Sequence, residues 1–250
     1  MITAESIYFQ MTSHELERWQ LAMSRRPSIL NKVTKNIQKK INGIIPEKVH
    51  VIITKAIKEI TRTVLFGAGF TTRSNRREKS LEEIEVKINE RINFYSSSAA
   101  AEGAVTGFGG FLLSLVDFPL WLTLKMKMLF EIASRYSFDT DDYRERIYIL
   151  YIFQLVFSSQ ERRNAIYEIM EDWDNKKEKL PDDLHGFDWR TFQLEYRDYI
   201  DLAKLLQLIP GVGAIAGAYI NHKLTNKLGH RAMNAYRMRR PEFRKKKLLR

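Results

Sequence analysis

Apolar residues recur along this chain at helical spacing, on one face of each successive segment. No segment shows the sustained alternation of apolar and polar residues that a half-buried strand requires. Prolines, glycines and polar clusters separate the apolar segments at regular intervals, as expected at helix ends. The pattern therefore predicts an all-α fold, built as a single multi-helix domain.

Several helix starts are predicted from a Ser or Thr followed three residues later by Glu, the spacing of a capping box. Three pairs have this spacing: Thr12 and Glu15, Ser80 and Glu83, and Ser158 and Glu161. They predict helices that begin near residues 13, 81 and 159. After the second of these starts, Ile84, Ile88 and Ile92 form an apolar stripe.

Two segments are rich in small residues at a four-residue step. The first carries Ala99, Gly103 and Gly107, and the second carries Gly213, Gly217 and Asn221. On a helix this step places the small residues in one stripe, where the backbone of another helix can approach closely. We expect the two segments to be the tightly packed helices at the centre of the domain.

By length alone, either segment could insert into a bilayer. The 22 residues from Gly103 to Leu124 contain Asp117 as their only charge, and about 20 apolar residues are needed to cross a bilayer. Asp117 and Pro119 argue against a straight span, and glycines and prolines interrupt the segment 205–224. Bilayer insertion, a shallow interfacial position and burial within the protein all stay open.

Composition narrows the class of protein. The chain has 250 residues, 41 of them Lys or Arg against 30 Asp or Glu, and 44% of its residues are hydrophobic, as in a folded protein. There is no cysteine, which excludes a disulfide framework, a thiolate zinc site and a cysteine nucleophile. The N-terminus lacks the basic start and apolar run of a secretory signal. We expect a cytoplasmic protein.

The distribution of charge and the positions of polar and glycine-containing segments divide the chain into three parts. Amphipathic helices occupy residues 1–70, and a polar, basic segment at 71–80 leads into a helical core over 71–238. The last part, 239–250, holds seven basic residues and one acidic residue, which predicts a basic tail.

Two long motifs resemble a known family. The segment from Gly103, GAVTGFGGFLLSLVDFPLWLTLKMKMLFEIASRYSFD, resembles the central signature of the EcsC family, with an acid and a proline between two helices and a Tyr and an Asp at the end. The segment from Ile209, IPGVGAIAGAYINHKLTNKLGHRAMNAYRMR, is similar to its C-terminal signature, in which a Pro-Gly run leads to an Asn and to a helix ending in Arg. The likeness covers roughly residues 50–240. It implies a membrane-proximal role, because members are often found with components of an Ecs-type ABC transporter, and it implies no catalytic residue.

Candidate catalytic residues are few. Asp117 lies in an apolar stretch, where an acid is costly unless it caps a helix, is paired or is functional. Asp117, His185 and His222 could together supply acid–base groups for an enzyme that holds a hydrophobic substrate over the glycine-rich segments, whereas the structural alternative makes Asp117 a helix cap. The five histidines show no metal-binding spacing, and no nucleotide-binding or hydrolase motif is present, so no metal or cofactor is predicted.

Membrane or partner contact is predicted at an apolar helix and at the basic tail. The residues concerned are Trp121, Leu122, Lys125, Lys127, Arg244, Lys245, Lys246 and Lys247, with Lys125 and Lys127 expected at the polar edge of the apolar helix. Clusters of basic residues attract anionic lipid at about 1 kcal/mol per residue, and an apolar anchor makes such adhesion stable. Nucleic acid attracts the same charges, but no nucleic-acid-binding motif accompanies them. A basic surface with no partner is the remaining alternative.

Together these observations predict a cytoplasmic accessory or regulatory protein, peripheral to or partly inserted in the inner face of the cell membrane. Its expected partner is anionic lipid or an integral membrane protein such as an ABC transporter. The alternative is an enzyme with Asp117 as its acid or base. Lipid preference, partner identity and oligomeric state do not follow from the sequence.

Overall fold

The computed structural model describes residues 4–25, 47–67, 70, 80–106, 118–199 and 214–248. These residues contain ten helices and no strand, which confirms the prediction of an all-α domain. The helices are α1 (Ala4–Ser24), α2 (Glu47–Phe66), α3 (Leu81–Thr106), α4 (Phe118–Arg135), α5 (Tyr143–Phe157), α6 (Gln160–Glu171), α7 (Trp173–Lys177), α8 (Trp189–Tyr199), α9 (Ala214–Arg237) and α10 (Pro241–Leu248).

The predicted helix starts have different outcomes. At α3 the prediction is confirmed, because the backbone N–H of Glu83 donates to the Ser80 hydroxyl at 3.2 Å. At α1 it is wrong, because the helix already begins at Ala4. Thr12 is an interior residue there, and its hydroxyl donates back to the carbonyl oxygen of Tyr8 at 3.0 Å.

The most extensive helix pair among the described residues is α3 with α9. The two run antiparallel, since Glu85 near the start of α3 contacts Arg237 at the end of α9, while Ile92 contacts Gly229. A Cβ atom at Gly229 would lie 2.5 Å from Cγ1 of Ile92. The absence of a side chain at Gly229 is therefore what lets the two backbones approach at this point.

Contact between the small-residue stripes stays a prediction. Ala99 and Gly103 belong to α3, and Gly217 and Asn221 belong to α9, while Gly107 and Gly213 lie outside the described residues. An antiparallel pairing of α3 with α9 places these segments at the same end of the bundle. Gly229, two four-residue steps beyond Asn221, adds a close contact that the predicted set does not include.

Helix α4 packs on both members of this pair and runs parallel to α9. Trp121 hydrogen-bonds to Asn221 near the start of each helix, and the rings of Tyr136 and Tyr236 stack at 5.8 Å near the end of each. Helix α5 lies antiparallel to α9, with the Tyr148 hydroxyl donating to the carbonyl oxygen of Ala235 at 2.9 Å. Nearly all side chains of α5 are buried, so this helix lies in the core.

The remaining helices cover this core. Helix α2 packs on α4 and α5 through an apolar stripe that includes Ile53, Ile57 and Ile60, and α8 packs on the outside of α2. Helix α1 spans α3, α6 and α9. The bundle of α3, α4 and α9 has two ends, which we call the apolar end, around the Trp121–Asn221 hydrogen bond, and the ionic end, around the Glu85–Arg237 ion pair.

Candidate functional site

The apolar end is built around one neutral hydrogen bond inside an aromatic cluster. The indole N–H of Trp121 donates to Oδ1 of Asn221 at 2.6 Å, and both side chains are buried. Phe118 stacks on Trp121 at 5.7 Å, and Phe157 meets the same ring edge-on at 6.3 Å. The hydrogen bond satisfies polar atoms that would be costly to bury alone, and it fixes where α4 starts relative to α9.

Lys125 is part of this interior cluster and does not lie at its polar edge. Its side chain is 1% exposed, and its ammonium group lies 4.9 Å from the centre of the Trp121 ring. The reason is its position one turn beyond Leu122 and one turn before Leu129, in the buried stripe of α4. A cation over the face of an indole ring is an attractive arrangement.

The outer surface of the apolar end combines exposed apolar side chains with basic charge. Leu120 is 58% exposed and Tyr219 is 65% exposed, although each lies within two residues of the buried Trp121–Asn221 bond. The ammonium of Lys223 lies 5.9 Å from the Tyr219 ring. Lys223 and Lys227 are exposed on α9, which has no acidic residue, so this surface carries positive charge.

The residues predicted to contact a membrane lie in different environments. Trp121 and Leu122 are buried in the core together with Lys125, whereas Lys127 is exposed. Arg244 is exposed and pairs with Asp174, while Lys245, Lys246 and Lys247 fall in α10. None of the described helices has the length and apolar character needed to cross a bilayer.

The candidate catalytic residues are not brought together where the structure describes them. His185 is exposed in the loop after α7, close to the start of α5, where the rings of Phe187 and Tyr143 are 5.9 Å apart. His222 follows Asn221 and lies near the end of α5. Because α5 has 15 residues, it separates the two histidines by roughly 20 Å. Asp117 lies outside the described residues.

The ionic end is built around a fully buried carboxylate. Glu85 is 0% exposed, and its two oxygens accept from Nε and Nη2 of Arg237, each at 2.6 Å. The hydroxyl of Tyr8 donates to the same carboxylate at 2.6 Å, and that of Tyr136 donates at 2.8 Å. Four donors around one buried carboxylate compensate for much of the hydration that it loses on folding.

The pKa values of the partners follow from this geometry. Burial alone would lower the pKa of Arg237, but the hydrogen bonds and negative charge of Glu85 raise it above its usual value. Burial and Glu85 together raise the pKa of both Tyr8 and Tyr136. Arg237 therefore stays charged and the two phenols stay protonated over the range in which proteins normally function.

Glu15 connects this ion pair to the surface. Its carboxylate accepts from Nη1 of Arg237 at 2.8 Å. Burial alone would raise the pKa of Glu15, but Arg237 lowers it below its usual value. A depressed carboxyl pKa stabilises the fold above the unfolded pKa, and that contribution is lost as the pH falls through the folded pKa.

A second buried ion pair lies beyond the end of α9. Nη1 of Arg239 donates to Glu145 at 2.7 Å, and the guanidinium lies 4.0 Å from the Phe138 ring and 4.3 Å from the Tyr148 ring. Phe243 is also buried and contacts Phe9. The segment predicted as a basic tail thus begins inside the fold, because Arg239 and Phe243 both pack into it.

A pocket of about 430 Å³ opens beside the ionic end. Its lining comes from the starts of α1, α3 and α10 and consists of Glu5, Ser6, Tyr8, Phe9, Leu81, Glu82, Arg240 and Glu242. Three of these side chains are carboxylates in the first turn of a helix, where negative charge is favourable without any ligand. The described residues include no group of three His, Asp or Glu side chains placed to hold a metal ion.

Sequence reasoning missed the buried ion pairs, although a signal for one of them was present. Glu85 precedes Ile88 by three residues and Ile92 by seven, so it falls in the apolar stripe of α3. An acid in such a stripe predicts a buried partner. The identity of that partner depends on the pairing of α3 with α9, which the stripe alone does not give.

The chain resembles known proteins over most of its length. The sequence model of the EcsC protein family matches residues 10–240. The chain is 40% identical to Protein EcsC of Bacillus subtilis (strain 168) over 231 residues, which cover 92% of this chain and 95% of that protein. It is 27% identical over 247 residues to the uncharacterized protein YdbA of the same organism, covering 90% of each chain. No solved structure matches.

Proposed function

This chain belongs to the EcsC protein family, and from that premise we propose that it is an accessory protein associated with the cytoplasmic face of the cell membrane. The apolar end faces the membrane and contacts anionic lipid or an integral membrane partner such as an ABC transporter. The protein acts by binding, without catalysing a reaction.

The observation that carries this proposal is the exposure of Leu120 and Tyr219 beside basic charge. Large apolar side chains at a rim of cations are what an interfacial contact uses: the apolar groups enter the boundary of the bilayer and the cations stay at the level of the headgroups. Leu120 and Tyr219 come from two different helices, and the buried Trp121–Asn221 bond holds those helices in register. The exposed pair is therefore presented on a rigid support.

Basic charge supports the choice of an anionic surface. Lys223 and Lys227 lie one turn apart on α9, which has no acidic residue, and Lys127 is exposed on α4. Each such cation contributes about 1 kcal/mol near an anionic bilayer, and salt screens that contribution. Binding to the anionic bilayer is therefore expected to need the exposed apolar pair, Leu120 and Tyr219, and to weaken as the ionic strength rises.

Flotation with lipid vesicles tests the proposal. Wild-type protein is expected to float with phosphatidylglycerol vesicles and not with phosphatidylcholine vesicles. The double variant Leu120→Ser/Tyr219→Ser should bind at least about tenfold more weakly, because burying each large apolar side chain contributes on the order of 1–3 kcal/mol. A truncation after Arg237 is a poorer test, since it removes Arg239 and Phe243 from the core.

The matched control is Val51→Ser/Leu194→Ser, which removes two comparably exposed apolar side chains from α2 and α8. This variant should float like the wild type. The proposal fails if the full chain stays unbound at low salt, or if the control pair loses as much binding as the pair at the apolar end.

A further inference from the structure

Helices α4 and α9 stay level with each other from the apolar end to the ionic end. The Trp121–Asn221 hydrogen bond joins them near their starts, and the stacked rings of Tyr136 and Tyr236 join them near their ends. Each contact joins residues whose numbers differ by 100, so the helices keep one register over the 15 residues from Trp121 to Tyr136. Because an α-helix rises about 1.5 Å per residue, this register extends over about 22 Å. Residue numbers therefore give the relative heights of side chains on the two helices.

The two exposed apolar side chains of the apolar end lie at nearly the same height. Leu120 is one residue before Trp121, and Tyr219 is two residues before Asn221, so the heights of Leu120 and Tyr219 differ by about 1.5 Å. Both side chains are exposed, although they belong to different helices. A plane perpendicular to the two helices therefore passes close to both residues.

Exposed lysines lie at a second level, further toward the ionic end. Lys127 follows Leu120 by seven residues, which places its Cα atom about 10 Å further along α4. Lys223 follows Tyr219 by four residues, which places its Cα atom about 6 Å further along α9. Lys227 is also exposed and lies level with Lys127. Neither helix carries an acidic residue at either level.

The side chains of these lysines lean toward the apolar level. In an α-helix the Cα–Cβ bond is tilted toward the helix N-terminus, and both α4 and α9 start at the apolar end. Lys223 shows the effect, since its ammonium lies 5.9 Å from the centre of the Tyr219 ring. The positive charges therefore lie just behind the exposed apolar side chains, on the side of the ionic end.

We propose that the protein docks end-on onto an anionic lipid bilayer, with α4 and α9 steep to its surface. Leu120 and Tyr219 enter the boundary of the acyl chains. Lys127 and Lys223 donate from their ammonium groups to lipid phosphates. This inference rests on the proposed function, and of the two partners named there it selects the lipid. The spacing of the two levels supports that choice, because interfacial apolar groups enter a bilayer by about 5–10 Å and lysines extend to the headgroups.

A flat orientation, with α4 and α9 parallel to the membrane, does not fit the same residues. A helix that lies in the interface needs its charged residues on the face opposite to its apolar ones. Steps of seven and four residues instead place Lys127 on the face of Leu120 and Lys223 on the face of Tyr219. A flat helix would hold each lysine at the same depth as its apolar neighbour, whereas an upright helix separates them by depth.

Quenchers attached to lipid test the orientation directly. The chain has no cysteine, so an apolar fluorescent label can be attached to one introduced cysteine at a time, in Leu120→Cys, Tyr219→Cys or Glu90→Cys. Phosphatidylglycerol vesicles that carry a nitroxide just below the headgroups should quench the labels at 120 and 219 to a similar extent. The label at 90 should keep its fluorescence, because Ile92 beside it contacts Gly229, about 15 Å beyond Tyr219.

Flotation of Lys127→Gln/Lys223→Gln tests the second level. Removing two cations from the headgroup layer should weaken binding to phosphatidylglycerol vesicles roughly thirtyfold. The difference between this variant and the wild type should shrink as salt is added, because salt screens the contribution of the lysines.

Lys176→Gln/Lys179→Gln is the matched control. Both lysines are exposed, and their segment contacts the start of α5 through the bond from Arg144 to the carbonyl oxygen of Pro181 at 2.7 Å. The opposite end of α5 lies at the apolar end, where Phe157 contacts the aromatic cluster, and its 15 residues span about 20 Å. The control loses the same charge far from the proposed contact and should bind like the wild type.

Two results would overturn end-on docking while the proposed function stands. One is quenching of only one of the labels at 120 and 219, or equally strong quenching of the label at 90. The other is wild-type binding by the Lys127→Gln/Lys223→Gln variant when Leu120→Ser/Tyr219→Ser still loses binding. If the wild type does not bind phosphatidylglycerol vesicles at low salt, the proposed function and end-on docking fail together.

Discussion

The two ends of the α3–α4–α9 bundle solve the same packing problem with different chemistry. At the ionic end, Glu85 and Arg237 form a buried, bidentate ion pair. At the apolar end, the helices meet through one neutral hydrogen bond among aromatic rings, and Leu120 beside it stays exposed. The Glu85 carboxylate accepts from four donors, two of them on Arg237, and these bonds form together in only one geometry. The ionic end therefore specifies the arrangement of the helices. Exposed apolar side chains occur at both ends, Leu120 at the apolar end and Val86 at the ionic end, so the two ends differ in the chemistry that joins their helices.

The largest effect is expected from breaking the ionic end. Glu85→Ala leaves Arg237 buried without its main partner, so we expect the free energy of unfolding to fall by about 3–5 kcal/mol. Chemical denaturation monitored by circular dichroism measures this change. Glu90→Ala, on the exposed face of the same helix, is the control and should change stability by less than about 0.5 kcal/mol.

A second variant tests how much of the stability at this end requires the two charges. The double substitution Glu85→Leu/Arg237→Met removes both charges and should recover part of the lost stability, because apolar replacements of buried pairs are often neutral or stabilising, while the buried hydroxyl of Tyr136 still loses its acceptor. If Glu85→Ala proves no more destabilising than Glu90→Ala, the ionic end does not hold the helices together and the comparison of the two ends fails.

A smaller effect is expected at Gly229, which lies between the two ends. In Gly229→Ala the new Cβ would lie 2.5 Å from Cγ1 and 3.0 Å from Cγ2 of Ile92. Rotation cannot move both branches away, so we expect a loss of about 1–3 kcal/mol in the free energy of unfolding, despite the higher helix propensity of alanine. Denaturant unfolding measures the loss.

A double-mutant cycle with Ile92→Ala is the control for Gly229. If the clash is the cause, Gly229→Ala should cost less in the Ile92→Ala background than in the wild type, with a coupling energy of about 1 kcal/mol or more. Additive effects would mean that the close approach of α3 and α9 at this point has no energetic consequence, and the bundle would then depend on its ends alone.

The sequence predicts the fold class well because helix periodicity is local. The stripe Ile84, Ile88 and Ile92 and the cap at Ser80 involve residues within one or two turns of each other, and the structure confirms them. The predicted start of α1 is wrong for a related reason. The capping-box spacing at Thr12 also occurs inside helices, where the hydroxyl donates to the preceding turn.

Charged residues in the core could not be predicted in the same way. Lys125 was expected at a polar edge because a lysine is rarely buried, and Arg239 was expected in a tail because basic residues follow it. Both are buried against partners distant in sequence or stacked on aromatic rings. The placement of Arg239 depends on which helices meet, whereas that of Lys125 agrees with its position between Leu122 and Leu129 in the buried stripe of α4.

The family signatures gain a structural explanation from these contacts. Trp121 and Tyr136 come from the first signature, and Asn221 and Arg237 come from the second. Trp121 pairs with Asn221 at the apolar end, and Tyr136 and Arg237 share the carboxylate of Glu85 at the ionic end. Residues that carry the resemblance thus join α4 and α9 at both ends of the bundle.

Hydrogen–deuterium exchange on the wild-type protein, with and without phosphatidylglycerol vesicles, tests the division of the two ends most directly. We predict that vesicles slow exchange in peptides covering 118–125 and 214–225, at the apolar end, and leave peptides covering 81–88 and 234–243 unchanged. Protection confined to 81–88 and 234–243 would contradict the account, because the membrane would then contact the end that we assign to holding the fold together.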